Sequence, residues 1–249
     1  MSEHVAVHAE DGVQIIRFDR LEKKNALTSQ MCEAAADALA LGEGNSRVRA
    51  FLIAGMPGVF CAGHDINELR AFAEDGSLGE SPLRFIKTIA TVEKPLIAAV
   101  DGLAVGIGAT ILFHCDYVVA SEWSVFAAPF VDLGLSPEAA SSLLAPRLLG
   151  YHRAFEFLVM GEQFDAERAY QAGLVNRVVA AEQVDAVALA SAKALAEKPP
   201  EAVRWSRRLL RGDRREVIAR IDQETAGFGE LLRSRNARDA LQAFLDRKR

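Results

Sequence analysis

The segment Lys94–Gly108, KPLIAAVDGLAVGIG, constrains this chain more than any other. Leu96–Val100 is apolar at five consecutive positions, so the strand it forms must be covered on both faces. The glycines that follow turn the chain towards a helix. Arg49–Gly55, RAFLIAG, repeats the theme as a short buried strand closed by Gly55-Met56-Pro57-Gly58. VAVHAE and VQIIRFD flank Asp11-Gly12, a hairpin signal. Thr28 is placed to cap a helix running to about Leu41. Ser81-Pro82 opens another helix, which Pro95 ends. YVVASE and SVFAAP read as short strands. GIGATILFHCD, PEAASSLLAPRLLG and YHRAFEFLVMG read as helices, and AERAYQAGLVNRVV as helix, glycine stop and strand. From Val184 the pattern is helical, broken at Pro199-Pro200 and Gly212. The expectation is α/β, with β/β/α units in the first two-thirds and helices in the last third.

Composition narrows the class. Hydrophobic residues make up 50% and charged residues 25%, the balance of a globular chain rather than a disordered one. No apolar run approaches the ~20 residues of a membrane span. The first residues, MSEHVAVHAEDG, contain no apolar signal region, so the protein reads as cytoplasmic, with no membrane partner. Three cysteines without a CxxC pair argue against a disulfide framework and a zinc site, and no metal is expected. Glu201–Arg249 carries 13 Lys/Arg and 8 Asp/Glu against a whole-chain charge of −5. This basic end suits a phosphorylated ligand or an acidic neighbouring subunit. The absence of an RNP-like aromatic pattern or zinc-finger spacing argues against nucleic acid.

Three glycine- or proline-bearing turns carry the candidate chemistry. IAAVDGLAVGIGATI imitates a dinucleotide-binding turn, but the third glycine of GxGxxG falls on Ile111, which speaks against a nucleotide cofactor. What remains is a set of backbone N–H groups at Gly106, Ile107 and Gly108, at a helix start that suits an anion or a developing oxyanion. In GVFCAGHDINEL, Ala62-Gly63 admits close approach to the backbone, and Asp65 reads first as a helix N-cap. In FAAPFVDLGLSPEAASS, Ser136 is placed to cap a helix starting at Pro137. Glu138 then reads as a first-turn acid complementing the helix dipole.

Together these segments resemble the crotonase superfamily, the enoyl-CoA hydratase/isomerase family, and most of all its peroxisomal-type Δ3,Δ2-enoyl-CoA isomerases. The resemblance runs through RLEKKNAL, FCAGHDINEL, KPLIAAVDGLAVGIGATILFHCDYVVAS, FAAPFVDLGLSPEAASS, AGLVNRVV and AFLDRKR. It implies a crotonase-like (ClpP/crotonase) spiral of ββα units over residues 1–198, with a helical oligomerisation region over 199–249 that forms a homotrimer or a dimer of trimers. It implies an acyl-CoA thioester as substrate, with coenzyme A part of that substrate and no separate cofactor. The thioester oxygen would be held by the backbone N–H groups of His64 and Ile107. Lys24, Ala26, Ala62, Gly63, Asp65, Ile66 and Gly106 would contact the ligand, with Phe130 and Leu135 lining an apolar pocket beside Leu133. Phe244 and Arg247 would reach a neighbouring subunit's ligand. The two glutamates of the family's hydratases fall here on Thr110 and Phe130. Water addition needs one group to activate water and another to deliver a proton, and neither residue does so. The isomerases' catalytic glutamate falls on Glu138. The resemblance therefore implies a 3-enoyl-CoA to 2-enoyl-CoA isomerase. Weak enoyl-CoA hydratase activity and a non-catalytic acyl-CoA- or RNA-binding homologue are the alternatives.

Overall fold

A computed structural model describes residues 3–75 and 79–246. β1 (Val5–Glu10) and β2 (Val13–Phe18) form the expected hairpin, with Val5 opposite Phe18 and Glu10 opposite Val13. α1 (Ser29–Gly44) starts where the Thr28 hydroxyl accepts the Met31 N–H at 3.2 Å. There follow β3 (Ala50–Ala54), β4 (Val59–Cys61), α2 (Ile66–Asp75) and α3 (Glu80–Thr91), then β5 (Leu96–Val100), β6 (Leu103–Val105) and α4 (Ile107–Thr110). β7 (Tyr117–Ser121) and β8 (Val125–Ala127) lead through a 3-10 turn, Val131–Leu133, to α5 (Ser141–Leu149) and α6 (Tyr151–Leu158). β9 (Phe164–Asp165), α7 (Ala166–Ala172) and β10 (Arg177–Val179) precede α8 (Val184–Ala196), α9 (Pro200–Arg211), α10 (Arg214–Leu232) and α11 (Arg235–Asp246).

The strands sort into two sheets. The larger has the order β1-β2-β3-β5-β7-β10 and the smaller β4-β6-β8-β9. Three times in succession, as β3-β4, β5-β6 and β7-β8, the chain places one strand in each sheet before turning into helix. Each passage moves one position along both sheets, which makes the chain a spiral of ββα turns.

The larger sheet is covered on both faces, as the apolar run of β5 requires. Ile97 and Ala99 point with Val13, Ile15, Leu52 and Val119 towards α8, whose Val184, Ala188, Ala192 and Ala196 complete that layer. Alanines spaced by four residues lie on one stripe of a helix and let α8 sit close to the sheet. Leu96, Ala98 and Val100 point the other way, into the main core with Phe18, Phe51 and Ile53. Burying each such large apolar side chain stabilises the fold by about 1.5–3 kcal/mol. α9 is tied down by charge: Arg207 and Arg211 reach Asp116 at 2.7 and 2.9 Å.

Two helix expectations are corrected. The GIGATILFHCD segment is a single α-helical turn followed by a 3-10 turn, Ile111–His114. α5 starts at Ser141 rather than Pro137, because Ala139 and Ala140 adopt left-handed φ values of 59° and 55°. Ser136 therefore caps nothing, and Glu138 lies before the helix rather than in its first turn.

Candidate functional site

The three turns singled out in the sequence leave the same edge of the smaller sheet. β4 pairs in parallel with β6, and β6 with β8, so the residues after Cys61, Val105 and Ala127 emerge side by side. Crevices at the carboxyl ends of parallel strands are where ligands bind in open α/β sheets.

The first loop is zipped onto the second turn. Ala62 N–H donates to Lys24 C=O at 3.0 Å, Leu27 N–H to Gly63 C=O at 2.8 Å, and Asp65 N–H to Leu27 C=O at 2.8 Å. This brings together Lys24, Ala26, Ala62, Gly63 and Asp65, with Ile66 packed partly buried behind them. Lys24 and Asn25 both have positive φ, and the Asn25 side chain fixes the bend. Its Oδ1 accepts Arg20 N–H at 2.7 Å and its Nδ2 donates to Val59 C=O at 2.9 Å. Asp65 is the N-cap of α2, accepting Asn67 N–H at 2.9 Å, and it also accepts from Arg20 at 2.7 Å. Burial pulls the Asp65 carboxyl upwards, but Arg20 and the Asn67 amide outweigh it and hold the pKa below the ordinary value.

In this ladder Gly63 C=O and Asp65 N–H face Leu27. Backbone groups alternate along an extended chain, so the N–H of His64 faces the opposite side. The second turn abuts the first: a Cβ on Gly63 (φ 96°) would meet Val105 O at 3.2 Å, and one on Gly106 would meet Gly63 Cα at 3.8 Å. Gly106 turns with φ 54° into Ile107, the first residue of α4, whose N–H has no partner within the helix. The two donor-bearing turns thus sit against each other, most tightly where Gly63 has no side chain.

Glu138 arrives from the third turn. It is buried, with 2% exposure. Its Oε1 accepts the Thr110 hydroxyl at 2.7 Å, and its Oε2 lies 3.8 Å from His64 Nε2. Both of these last atoms are buried without a hydrogen-bond partner among the described residues, and 3.8 Å is too long for a direct bond. Phe130 and Leu135 are buried in the adjoining core, joined by a Leu135 N–H to Phe130 C=O bond of 2.8 Å, while Asp132 is exposed. Cys61 also adjoins the site, but burial pushes its thiol up to about 12 and Glu138 adds to the shift. It stays a thiol, which removes thiolate chemistry. Arg247 and the Phe244 side chain lie outside the described residues.

The backbone around Glu138 is strained and heavily braced. Left-handed φ at a non-glycine residue costs on the order of 1–3 kcal/mol, and Ala139 and Ala140 do this in succession. Ser141 donates its N–H and hydroxyl to Glu138 C=O at 3.0 and 2.6 Å. His114 Nε2 donates to Ala139 C=O at 2.7 Å. Burial lowers the His114 pKa to about 4, so the ring is neutral and carries its proton on Nε2. Glu224, from α10, accepts Ala140 N–H at 2.5 Å and Ser142 N–H at 2.9 Å. Asn25, His114 and Glu224 escaped the sequence reading, which saw Thr110 only as a missing carboxylate. Asn25 did carry a signal, an asparagine in a polar loop, the residue type that best tolerates a left-handed bend. His114 and Glu224 carried none.

An edge built from two outward N–H groups and one half-held carboxylate can polarise a carbonyl and move a proton beside it. A profile of the enoyl-CoA hydratase/isomerase family matches residues 8–249. The chain belongs to that family. Enoyl-CoA delta isomerase 2 of Rattus norvegicus is 32% identical over 256 residues, covering 99% of this chain. The chain spans only 64% of the length of that rat protein. The 1,2-epoxyphenylacetyl-CoA isomerase of Escherichia coli (strain K12) is 30% identical, covering 100% of this chain and 97% of its own. A crystal structure of an enoyl-CoA hydratase/isomerase from Pseudoalteromonas atlantica T6c superposes with a TM-score of 0.92 at 36% identity, covering 98% of both chains. The spiral described above is the crotonase fold of this enoyl-CoA hydratase/isomerase family. Relatives of similar identity are named as a hydratase and a dehalogenase, so family membership leaves the reaction to be read from the site.

Proposed function

We propose that the chain is a Δ3,Δ2-enoyl-CoA isomerase that works as a homotrimer or a dimer of trimers. The backbone N–H groups of His64 and Ile107 hold the thioester oxygen and stabilise the enolate formed when the C2 proton leaves. Each donor of this kind is typically worth about 2.7–4 kcal/mol in the transition state. Glu138 takes the proton from C2 and returns it at C4. The electron pair left by the C2 proton passes through the enolate and becomes the C2=C3 bond, conjugated with the thioester, while the C3=C4 pair forms the new C4–H bond. One base suffices when both carbons lie on the same face of the substrate within hydrogen-bond reach. The apolar walls at Phe130 and Leu135 keep water from the enolate.

The observation that carries this reading is the asymmetric holding of Glu138. Thr110 occupies Oε1, and the buried Oε2 has no hydrogen-bond partner among the described residues, so one oxygen is fixed and the other is available to a proton. A second reading, water addition to a 2-enoyl-CoA, draws on the 3.8 Å gap between His64 Nε2 and Glu138 Oε2, where one oxygen atom would meet two polar groups. Separate incubation with a 3-enoyl-CoA and a 2-enoyl-CoA decides between them. Double-bond migration without 3-hydroxyacyl-CoA supports the isomerase, and rapid hydration of the 2-enoyl-CoA supports the second reading. Neither reaction leaves a binding protein.

A further inference from the structure

The local sequence and the folded chain disagree about where α5 begins. Ser136 and Pro137 favour a helix start there, and such a start would wind Glu138 into the first turn. In the structure Ala139 and Ala140 are left-handed instead and α5 waits until Ser141. Consecutive left-handed alanines persist only where the surroundings over-determine them. The Ala140 and Ser142 N–H groups would be unpaired at this delayed helix start. Both are accepted by one carboxylate, that of Glu224 on α10, which also accepts the Ser142 hydroxyl. Arg220, one helical turn away on α10, donates to the same hydroxyl at 3.0 Å. Glu224 is itself buried, with 7% exposure.

We propose that Glu224 is a positioning residue: by clamping Ala140 and Ser142 it holds the turn that keeps the Glu138 carboxylate on Thr110 and open towards the His64 and Ile107 donors. This rests on the reading of Glu138 as the base. Glu224 touches no substrate and acts through Glu138 alone. Helix α10 thereby becomes part of the catalytic apparatus.

The test is steady-state isomerisation of a 3-enoyl-CoA, together with calorimetric binding of a saturated acyl-CoA. Glu224→Gln replaces one accepting oxygen with an NH2 that faces an N–H group. Misplacing a catalytic group by about 1 Å costs on the order of 100-fold, so kcat should fall roughly 10- to 100-fold, with KM and acyl-CoA affinity held within roughly twofold. Glu138→Gln/Glu224→Gln should be no slower than Glu138→Gln alone, because Glu224 has nothing left to position. Unchanged kcat in Glu224→Gln overturns the proposal. So do additive losses in the double variant, or parallel losses of kcat and affinity. Should Glu224→Gln not fold, Glu224→Asp keeps the charge and retracts it by one methylene, and the same pattern is required of it. Failure of both to fold assigns Glu224 to the core and overturns the proposal too. A fully active Glu138→Gln is a separate result, which defeats the reading of Glu138 before Glu224 is considered.

Discussion

Thr110 donates its hydroxyl to Glu138 Oε1 at 2.7 Å, and that bond selects which carboxylate oxygen is left to meet a substrate. Thr110→Val keeps the shape and removes the donor. A buried carboxylate oxygen then loses its partner, so stability should fall by about 1–3 kcal/mol in urea titration. Activity should fall with it, because the carboxylate is no longer held in one rotamer. A variant with unchanged stability and rate would show that the bond does not govern the site. Asp132 provides the contrast. It lies in the same segment but is exposed, and Asp132→Asn should change stability by no more than about 0.5 kcal/mol and leave turnover intact. If Asp132→Asn is inactive while Glu138→Gln stays active, Asp132 takes the role of base. At this scale the Asp65 cap and the close approach at the glycine turns were legible from the residues themselves, whereas Glu138 read locally as a first-turn acid and its candidacy as a base came from the family resemblance. The sequence was not legible where a residue acts by reaching across the fold. Nothing local distinguishes Glu224 from the other acids of α10, and His114 looks like any histidine beside an apolar run.

Among the elements, the start of α5 is the instructive failure. Ser-Pro-Glu is a sound helix-initiation signal, and it is overridden because His114 and Glu224 satisfy the backbone in another conformation. Their titrations oppose each other. His114 has a folded pKa of about 4 against an ordinary 6.5, through burial of the neutral ring. It contributes stability that is present above pH 6.5 and lost as the pH falls towards 4. Glu224 is raised to about 7 from 4.5, chiefly by burial and in part by Glu138. Its contribution is complete below pH 4.5 and is lost as the pH rises through 7. Each shift amounts to about 3 kcal/mol, so the two largely offset in the wild type between roughly pH 4.5 and 6.5. Relative to the wild type, His114→Asn should gain stability on acidification through this window and Glu224→Gln should lose it. Urea titrations at several pH values check this, and parallel profiles for all three proteins would contradict it. The zipper at Gly63 gives a second test. Its φ of 96° and the 3.2 Å approach of Val105 O leave no room for a β-branched residue, so Gly63→Val should abolish acyl-CoA binding by calorimetry. Unchanged affinity would remove this turn from the site.

Over the whole molecule, the alternation of strands between two sheets follows from the sequence only in part. β5 is five residues long and apolar on both faces, which made a strand covered on both sides legible. β4, β6 and β8 are three residues each, too short for a period to show, so the smaller sheet came from the family resemblance. The same holds for assembly. α9 exposes Trp205, Leu209 and Leu210 at 60%, 74% and 88% beside a cleft of about 950 Å³ lined by Arg204, Arg207, Arg208 and Arg211. Large apolar side chains exposed together on one helix suit a protein contact, and sedimentation at micromolar concentration should give a trimer or hexamer mass. A monomer would contradict it. The most direct test of the chemistry is the rate of 2-enoyl-CoA formation from a 3-enoyl-CoA by Glu138→Gln. The amide keeps the volume and the Thr110 bond but cannot take a proton. The expected result is a fall in kcat of roughly 10²–10⁴, the range for a positioned general base, with acyl-CoA affinity retained. A Glu138→Gln protein that isomerises at the wild-type rate would contradict the assignment of Glu138 as the base.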